Sequence, residues 1–391
     1  MIQIIRKYFK GDLVIWIITL LMLGFSLVSV YSFVNILVKT TGGTASKYLF
    51  KHFIYIVLAV LAMYWVHKRD PRDISRLSKV IFYAGVGLLV FTLFFGEQRN
   101  EAGRWIQIPF VGLSFQSSDY AKLALIIYLS RLLAKKQDVL KSWKEGFLPI
   151  MAPIVIICGL IVKDNFSTAA ILFMISFILL FLGRVPIGKM LTVVAGGVML
   201  FIMVVGVHKA LPDLNILPRY ETWVNRFTNR YNAGTDIDVA GNLQANNAGQ
   251  AIYNGGLIGR GVGNGQVKEF IPEAYADFFF ASFVEEFGLV SAIFLVLFYV
   301  ILLYRIMRIA LKADNLFDSY VCLGIGILLL SQATVNMMVC TGIFPVTGQN
   351  MPFLAMGGSA MIMACISIGI VQAIAQRQTT DKAGTGVNVF E

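Results

Sequence analysis

The sequence predicts an all-α integral membrane protein: about ten transmembrane helices in one bundle, with a long extracytoplasmic loop between the seventh and the eighth. Three observations carry this. The 391 residues are 57% hydrophobic and only 14% charged. Their mean hydropathy is +0.74. Apolar runs approaching about 20 residues, the length a helix needs to cross hydrocarbon, recur along the chain. In lipid every backbone N–H and C=O must be satisfied within the protein, so helices are the expected element.

Taken in order, the expected spans are 12–38, 49–66, 80–96, 119–130, 147–162, 168–183, 190–207, 277–304, 317–340 and 352–375. The first follows Arg6, Lys7 and Lys10, as a signal peptide would. Its apolar run is too long for a signal core and no small-residue cleavage site is clear, so an uncleaved helix is expected. The fourth is short and is expected to protrude through Arg131 to Lys135. An even number of spans puts both termini on one side. With the N-terminus inside, 20 of the 33 Lys and Arg residues fall in inner segments. Six of the others lie in the 208–276 loop, where the positive-inside rule has little force. Both termini are therefore expected in the cytoplasm, with 376–391 as a tail and 1–391 as one transmembrane domain. The formal charge of +11 is then a topology signal and not a nucleic-acid footprint. Cys158, Cys322, Cys340 and Cys365 lie in or beside apolar runs without zinc or redox spacing, and packing explains them.

Four outer segments are polar or glycine-rich: 97–122, the KDNFST stretch at 163–168, the 208–276 loop, and 341–359. They converge on one extracytoplasmic face. Within the long loop, NNAGQAIYNGG reads as a short amphipathic helix ending at Gly255. The following GGLIGRGVGNG lacks the Lys-Ser/Thr of a phosphate loop and any preceding strand, so packing back on the bundle is the expectation. Long ordered loops are nonetheless often functional.

Individual side chains have two readings each. Asp277 stands where the loop enters the eighth span. It is either a helix cap, favoured by unpaired N–H groups and the dipole, or a general base held ionised at the membrane surface. Glu273 lies one turn earlier if the helix begins at Pro272. Glu285 and Glu286 lie eight and nine residues beyond Asp277, roughly 12–14 Å along a continuous helix. Carboxylates so deep mark a functional site or pair with a polar group on another helix; pairing is preferred here. Asp119 and Lys122 share a helix face, as a local ion pair or as contacts to an anionic head group. Arg104 beside Trp105 suits either membrane anchoring or a diphosphate. Gln116 and Ser118 are helix-entry groups, with Ser118 the expected N-cap. His52, His67 and His208 are scattered without metal spacing, and no Walker motif or Ser-His-Asp arrangement occurs.

These residues collect into a pattern that resembles the SEDS family (shape, elongation, division and sporulation), whose members include RodA, FtsW and SpoVE. The matching stretches are GRWIQI at 103–108, FQSSDYAKLALIIYLSRLLAKK at 115–136, DNFSTA at 164–169, GGLIGRGVGNGQVKEFIPEAYADFFFASFVEEFGL at 255–289 and GIFPVTGQNMPFLAMGGSAM at 342–361. The PEAYADF segment and the GNGQVK before it are more similar to the FtsW branch. The chain departs from the family pattern at Gln116-Ser117-Ser118-Asp119, at Asp164-Asn165-Phe166-Ser167 and at Ala355-Met356-Gly357-Gly358-Ser359-Ala360.

The resemblance implies a peptidoglycan glycosyltransferase of the bacterial cytoplasmic membrane that polymerises lipid II for septal wall synthesis. Its implied partners are a class B penicillin-binding protein and other division proteins. It implies Asp277 as catalytic base, with Arg104, Trp105, Lys122, Asp119, Glu273, Gln116 and Ser359 around the substrate. It allows for a divalent cation, Mg2+ or Mn2+, on the diphosphate. The alternatives are a lipid II flippase, an elongation-type polymerase, a solute transporter, and a non-enzymatic division scaffold. A transporter would show broken helices and midplane charges in two repeated halves, and no such repeat is seen.

Overall fold

The computed structural model describes residues 9–99, 102–108, 113–210, 239–271 and 274–384. Its helices are α1 Leu13–Thr41, α2 Ala45–His67, α3 Pro71–Phe95, α4 Ser117–Lys135, α5 Leu148–Val162, α6 Phe166–Leu182, α7 Ile187–Ala210, α8 Val239–Gly255, α9 Phe279–Leu311, α10 Leu316–Cys340 and α11 Gly358–Gly384. All but α8 lie over the expected spans. Among the described residues, eight helices are long and apolar enough to cross a membrane, α5 counting with the π-helical turn that leads into it. α6 is apolar but has only 17 residues, and α4 carries Asp119, Lys122, Arg131 and Lys135 among its 19.

Polar caps fix where several helices begin. Asp12 accepts hydrogen bonds from Val14 and Ile15 N–H at the start of α1. Asp70, followed by Pro71, accepts from Arg72 N–H at α3. Asn165 and Asn315 do the same for α6 and α10 through Thr168 and Asp318. Each cap satisfies a donor that helix geometry leaves orphaned. α4 differs from expectation. Its N-cap is Gln116, without a side-chain cap bond, and Ser118 lies inside the helix. The helix starts earlier because a strand delivers the chain directly into it.

That strand belongs to the one sheet among the described residues. β1 Glu97–Arg99, β2 Ala102–Ile108 and β3 Leu113–Gln116 form an antiparallel sheet in that order. Sequence reasoning expected only a polar segment here. The pairing Trp105 with Gln116 and Ile106 with Phe115 sets the register, so Trp105 stands beside the entry to α4.

The core is built chiefly on α1, α2, α9, α10 and α11, with a second apolar cluster under α3, α4, α5 and α6. α2 packs mainly on α11, α9 on α10, and α3 on α4. Large apolar side chains also face outward, among them Phe94, Met199, Met203 and Leu311. An apolar exterior of this extent is what a helix bundle presents to lipid.

α9 is not the continuous helix expected over 277–304. Its first residue is Phe279, and Gly288 (φ 79°, ψ 172°) breaks it. The loop after α8 fills the break. Arg260 and Gly261 N–H donate to the carbonyls of Glu285 and Glu286 at 3.0 and 2.9 Å. Leu289 and Val290 N–H donate to the carbonyls of Gly256 and Leu257 at 2.9 and 3.2 Å. The orphaned groups of the break are thereby satisfied by backbone. Such contact requires glycine: a Cβ on Gly259 would lie 2.6 Å from Gly288 N. GGLIGRG is therefore a backbone wedge in a membrane helix.

Candidate functional site

α4, α6, α10, the start of α11 and the 341–357 loop meet at a narrow polar cleft. Gln116, Asp119, Lys122, Thr168, Gln332, Gly348, Gln349, Asn350 and Ala360 line it. Only two of these lack a polar side chain, so the cleft is built to be wet or to hold a polar ligand.

One wall is an electrostatic unit. Asp119 lies on α4 one turn before Lys122, and its Oδ1 stands 2.9 Å from the Lys122 ammonium. Its Oδ2 accepts from the Ser359 hydroxyl at 2.8 Å. Ser359 in turn accepts the Gln116 N–H at 3.2 Å. Asp119 and Lys122 are both largely buried. Held this way, the Lys122 ammonium has a fixed position and still borders the cleft. The local ion pair is thus present, and it leaves the ammonium in the cleft lining.

The loop from Gly348 to Asn350 also lines the cleft. Gln349 donates to the Thr168 hydroxyl at 2.6 Å, tying the loop to the capped start of α6. Gly348 adopts φ 70°. A Cβ there would lie 3.6 Å from Asp277 Oδ2, so the Asp277 carboxylate borders the same loop that lines the cleft. Asp277 precedes the α9 N-cap, which is Phe278. The N-cap position is therefore not its own. Its backbone carbonyl is held by Asn336 on α10, 3.0 Å away.

Gln116, Asp119, Lys122 and Ser359 come together; Asp277 is not in the cleft lining itself, but its carboxylate lies beside Gly348, which is. Trp105 pairs with Gln116 across the sheet. Arg104 lies in β2, and its side chain falls outside the described residues, as does Glu273.

Glu285 and Glu286 do not reach this cleft's lining. Both are buried just before the break in α9. Glu285 accepts the backbone N–H groups of Gln266 and Val267 at 2.9 Å and Lys268 at 3.3 Å. Such a backbone nest suits an anion. Glu286 pairs with the buried Lys268 ammonium and the Ser32 hydroxyl of α1, and accepts the Gly263 N–H at 3.2 Å. They fasten the long loop to the bundle.

Sequence reasoning missed Thr168, Gln332, Asn336, Gln349 and Asn350. The signal for two of them was available. Gln332 and Asn336 are one turn apart on an apolar helix, and amides inside a membrane span ask for partners.

The described residues hold no group of three or more His, Cys, Asp or Glu side chains suited to a metal. Mg2+ commonly binds one or two carboxylates plus substrate phosphates. Asp119 is engaged on both oxygens by Lys122 and Ser359.

Comparison with known proteins gives concordant results. The profile of a family described as cell cycle protein, covering FtsW, RodA and SpoVE, matches residues 12–380. The chain is 31% identical over 381 residues to a probable peptidoglycan glycosyltransferase FtsW of Trichlorobacter lovleyi, covering 95% of each. It is 32% identical over 373 residues to the protein of the same description from Coxiella burnetii, covering 92% of this chain and 95% of that one. It is 29% identical to stage V sporulation protein E of Bacillus subtilis, covering 93% and 97%. Among solved structures, the fold is similar to a chain from a peptidoglycan synthase complex, with TM-score 0.71 and 21% identity over 94% of this chain and 98% of that chain. It is also similar to the rod shape determining protein RodA of Thermus thermophilus, with TM-score 0.65 and 20% identity over 94% and 97%.

Proposed function

Because the chain belongs to the family of cell cycle proteins that takes in FtsW, RodA and SpoVE, we propose that Asp277 is the general base of its glycan polymerisation. The protein is a multi-pass membrane peptidoglycan glycosyltransferase. The growing strand, on its lipid diphosphate, is the donor. The 4-hydroxyl of an incoming lipid II is the nucleophile. Asp277 takes its proton as the new glycosidic bond forms and the lipid diphosphate leaves.

The observation that carries this reading is a fixed cation at Lys122 in the cleft lining, with the Asp277 carboxylate beside Gly348, which lines the same cleft. Lys122 offsets charge on the diphosphate in a site where preorganised charge is worth most. Asp119 holds Lys122, and Ser359 and Gln116 hold Asp119. Arg104 supplies a second cation, and Trp105 lines the sugar or lipid entrance. Glu273 helps place Asp277. A divalent ion, when bound to the substrate diphosphate, would add charge neutralisation there. The relatives named FtsW support a septal role. We place the chain in the bacterial cytoplasmic membrane with both termini inside, working at the outer face. Its partner is a class B penicillin-binding protein, within the wider division machinery.

Removing a general base costs about 10²–10⁴-fold. The test is Asp277→Asn, purified with the class B partner and given labelled lipid II and Mg2+ or Mn2+, with polymer read on a gel. Near-normal polymer from this variant would sink the assignment. Polymer from neither form, with lipid II movement across vesicles instead, would favour a flippase.

A further inference from the structure

We propose that Asn336 is a positioning residue for Asp277, a role that rests on the reading of Asp277 as the base. Asn336 is buried at 1% exposure in α10. Its amide reaches two separate segments, the 276–280 stretch and the loop at Gln349. Nδ2 donates to the carbonyls of Asp277 at 3.0 Å, Gln349 at 2.9 Å and Ala276 at 3.4 Å. Oδ1 accepts the Phe280 N–H at 3.4 Å, in the first turn of α9, and lies 3.9 Å from Cys340 Sγ.

The consequence is geometric. The turn that presents Asp277 runs straight into the first turn of α9, and no regular secondary structure joins that stretch to the Gly348–Gln349 ledge. One side chain fastens the two together. Asp277 Oδ2 borders Gly348, and the carbonyl next to Gly348, that of Gln349, is held by the same NH2 group that holds the Asp277 carbonyl. The amide therefore sets the spacing between the carboxylate and the wall of the cleft. The residue type follows from the partners. An N–H needs an acceptor and three carbonyls need a donor, which an amide supplies together. Aspartate would face the carbonyls with oxygens, and alanine or leucine would leave buried polar groups unpaired.

A displacement of about 1 Å in a reacting group can cost about 10²-fold. Asn336→Ala and the milder Asn336→Ser, each purified with the class B partner, should therefore lower kcat for lipid II polymerisation by about 10–100-fold. KM should change less than about threefold, since Lys122 and its supports are untouched. The decisive arm is the double variant. If Asn336 acts through the Asp277 carboxylate, adding Asn336→Ala to Asp277→Asn should leave the residual rate, followed over long incubations, unchanged within about twofold.

Three outcomes would overturn the proposal. The single variants keep normal kcat; or the double variant loses a further full factor; or neither single variant can be purified folded, which makes Asn336 a structural fastening only. Failure of the base reading shows separately, as an active Asp277→Asn variant with Asn336 intact.

Discussion

Replacing Glu286 with glutamine removes one charge from a pair that the bundle almost wholly encloses. The side chains of Lys268 and Glu286 are each 3% exposed. Glutamine keeps a carbonyl oxygen for the Gly263 N–H, which Glu286 accepts at 3.2 Å, so the fold is not asked to lose that bond. What it loses is the counter-charge. Lys268 retains the Ser32 carbonyl at 3.1 Å, the Ser32 hydroxyl and the face of Phe33 at 5.5 Å, none of them an anion. Two unit charges about 4 Å apart at an effective dielectric of about 20 attract by about 4 kcal/mol. Breaking one half of a buried pair typically costs about 3–5 kcal/mol. The two figures agree, and Glu286→Gln should destabilise the protein by about 3–5 kcal/mol. Replacing both partners with methionine removes the uncompensated charge. The residual cost should then fall to about 1–3 kcal/mol for the unpaired Gly263 N–H and Ser32 hydroxyl. The assay is reversible denaturation in mild detergent of both single variants and the double. A Glu286→Gln protein within 1 kcal/mol of the parent on order-of-magnitude grounds, or a double variant as unstable as the two singles added, would refute the reasoning. Well below its melting range, Glu286→Gln should still polymerise within a few-fold of the parent rate, because Glu286 does not line the cleft.

Gly288→Ala should destabilise the protein by at least about 2 kcal/mol. Its φ of 79° and ψ of 172° lie in a region that costs other residues about 1–3 kcal/mol, and the new Cβ would meet Gly259 N at 2.5 Å; a melting curve equal to the parent's would contradict the wedge. Lys122→Gln should lower kcat by about 10²–10³-fold, the usual cost of one preorganised charge-stabilising donor. Lys122→Arg should recover part of that loss in the same polymer assay, and equal activity in all three proteins would remove Lys122 from the diphosphate.

Apolar periodicity and length located the helices, because in lipid those two properties decide where a helix can stand. The spacing of Asp119 and Lys122 announced their shared face, and their ion pair follows from it. The expectation that Glu285 and Glu286 find polar partners also followed from depth alone. The identity of those partners did not. Lys268 and Ser32 lie 18 and 254 residues away from Glu286 in sequence, and nothing local selects them. The break at Gly288 was hidden for the same reason. A glycine in an apolar run is compatible with an intact helix, and only the distant 256–261 segment makes the open conformation satisfiable. The sheet over 97–116 was missed because its strands are three, seven and four residues long, too short for alternation to stand out among polar residues.

The break in α9 bears on which class of machine this is. Transporters place binding residues at broken helices and move one half against the other. Here the short helix from Phe279 to the break is pinned at both ends. At its start, Asn336 holds the Asp277 carbonyl and the Phe280 N–H. At its end, Glu285 sits in a nest of three backbone N–H groups, Glu286 is paired with Lys268, and four backbone hydrogen bonds close the gap. Moving this segment would expose several buried polar groups at once, each costing about 1–3 kcal/mol unpaired. A broken helix fastened at both ends is suited to holding a carboxylate still. That favours a base presented to a substrate arriving from outside over an element that alternates its access.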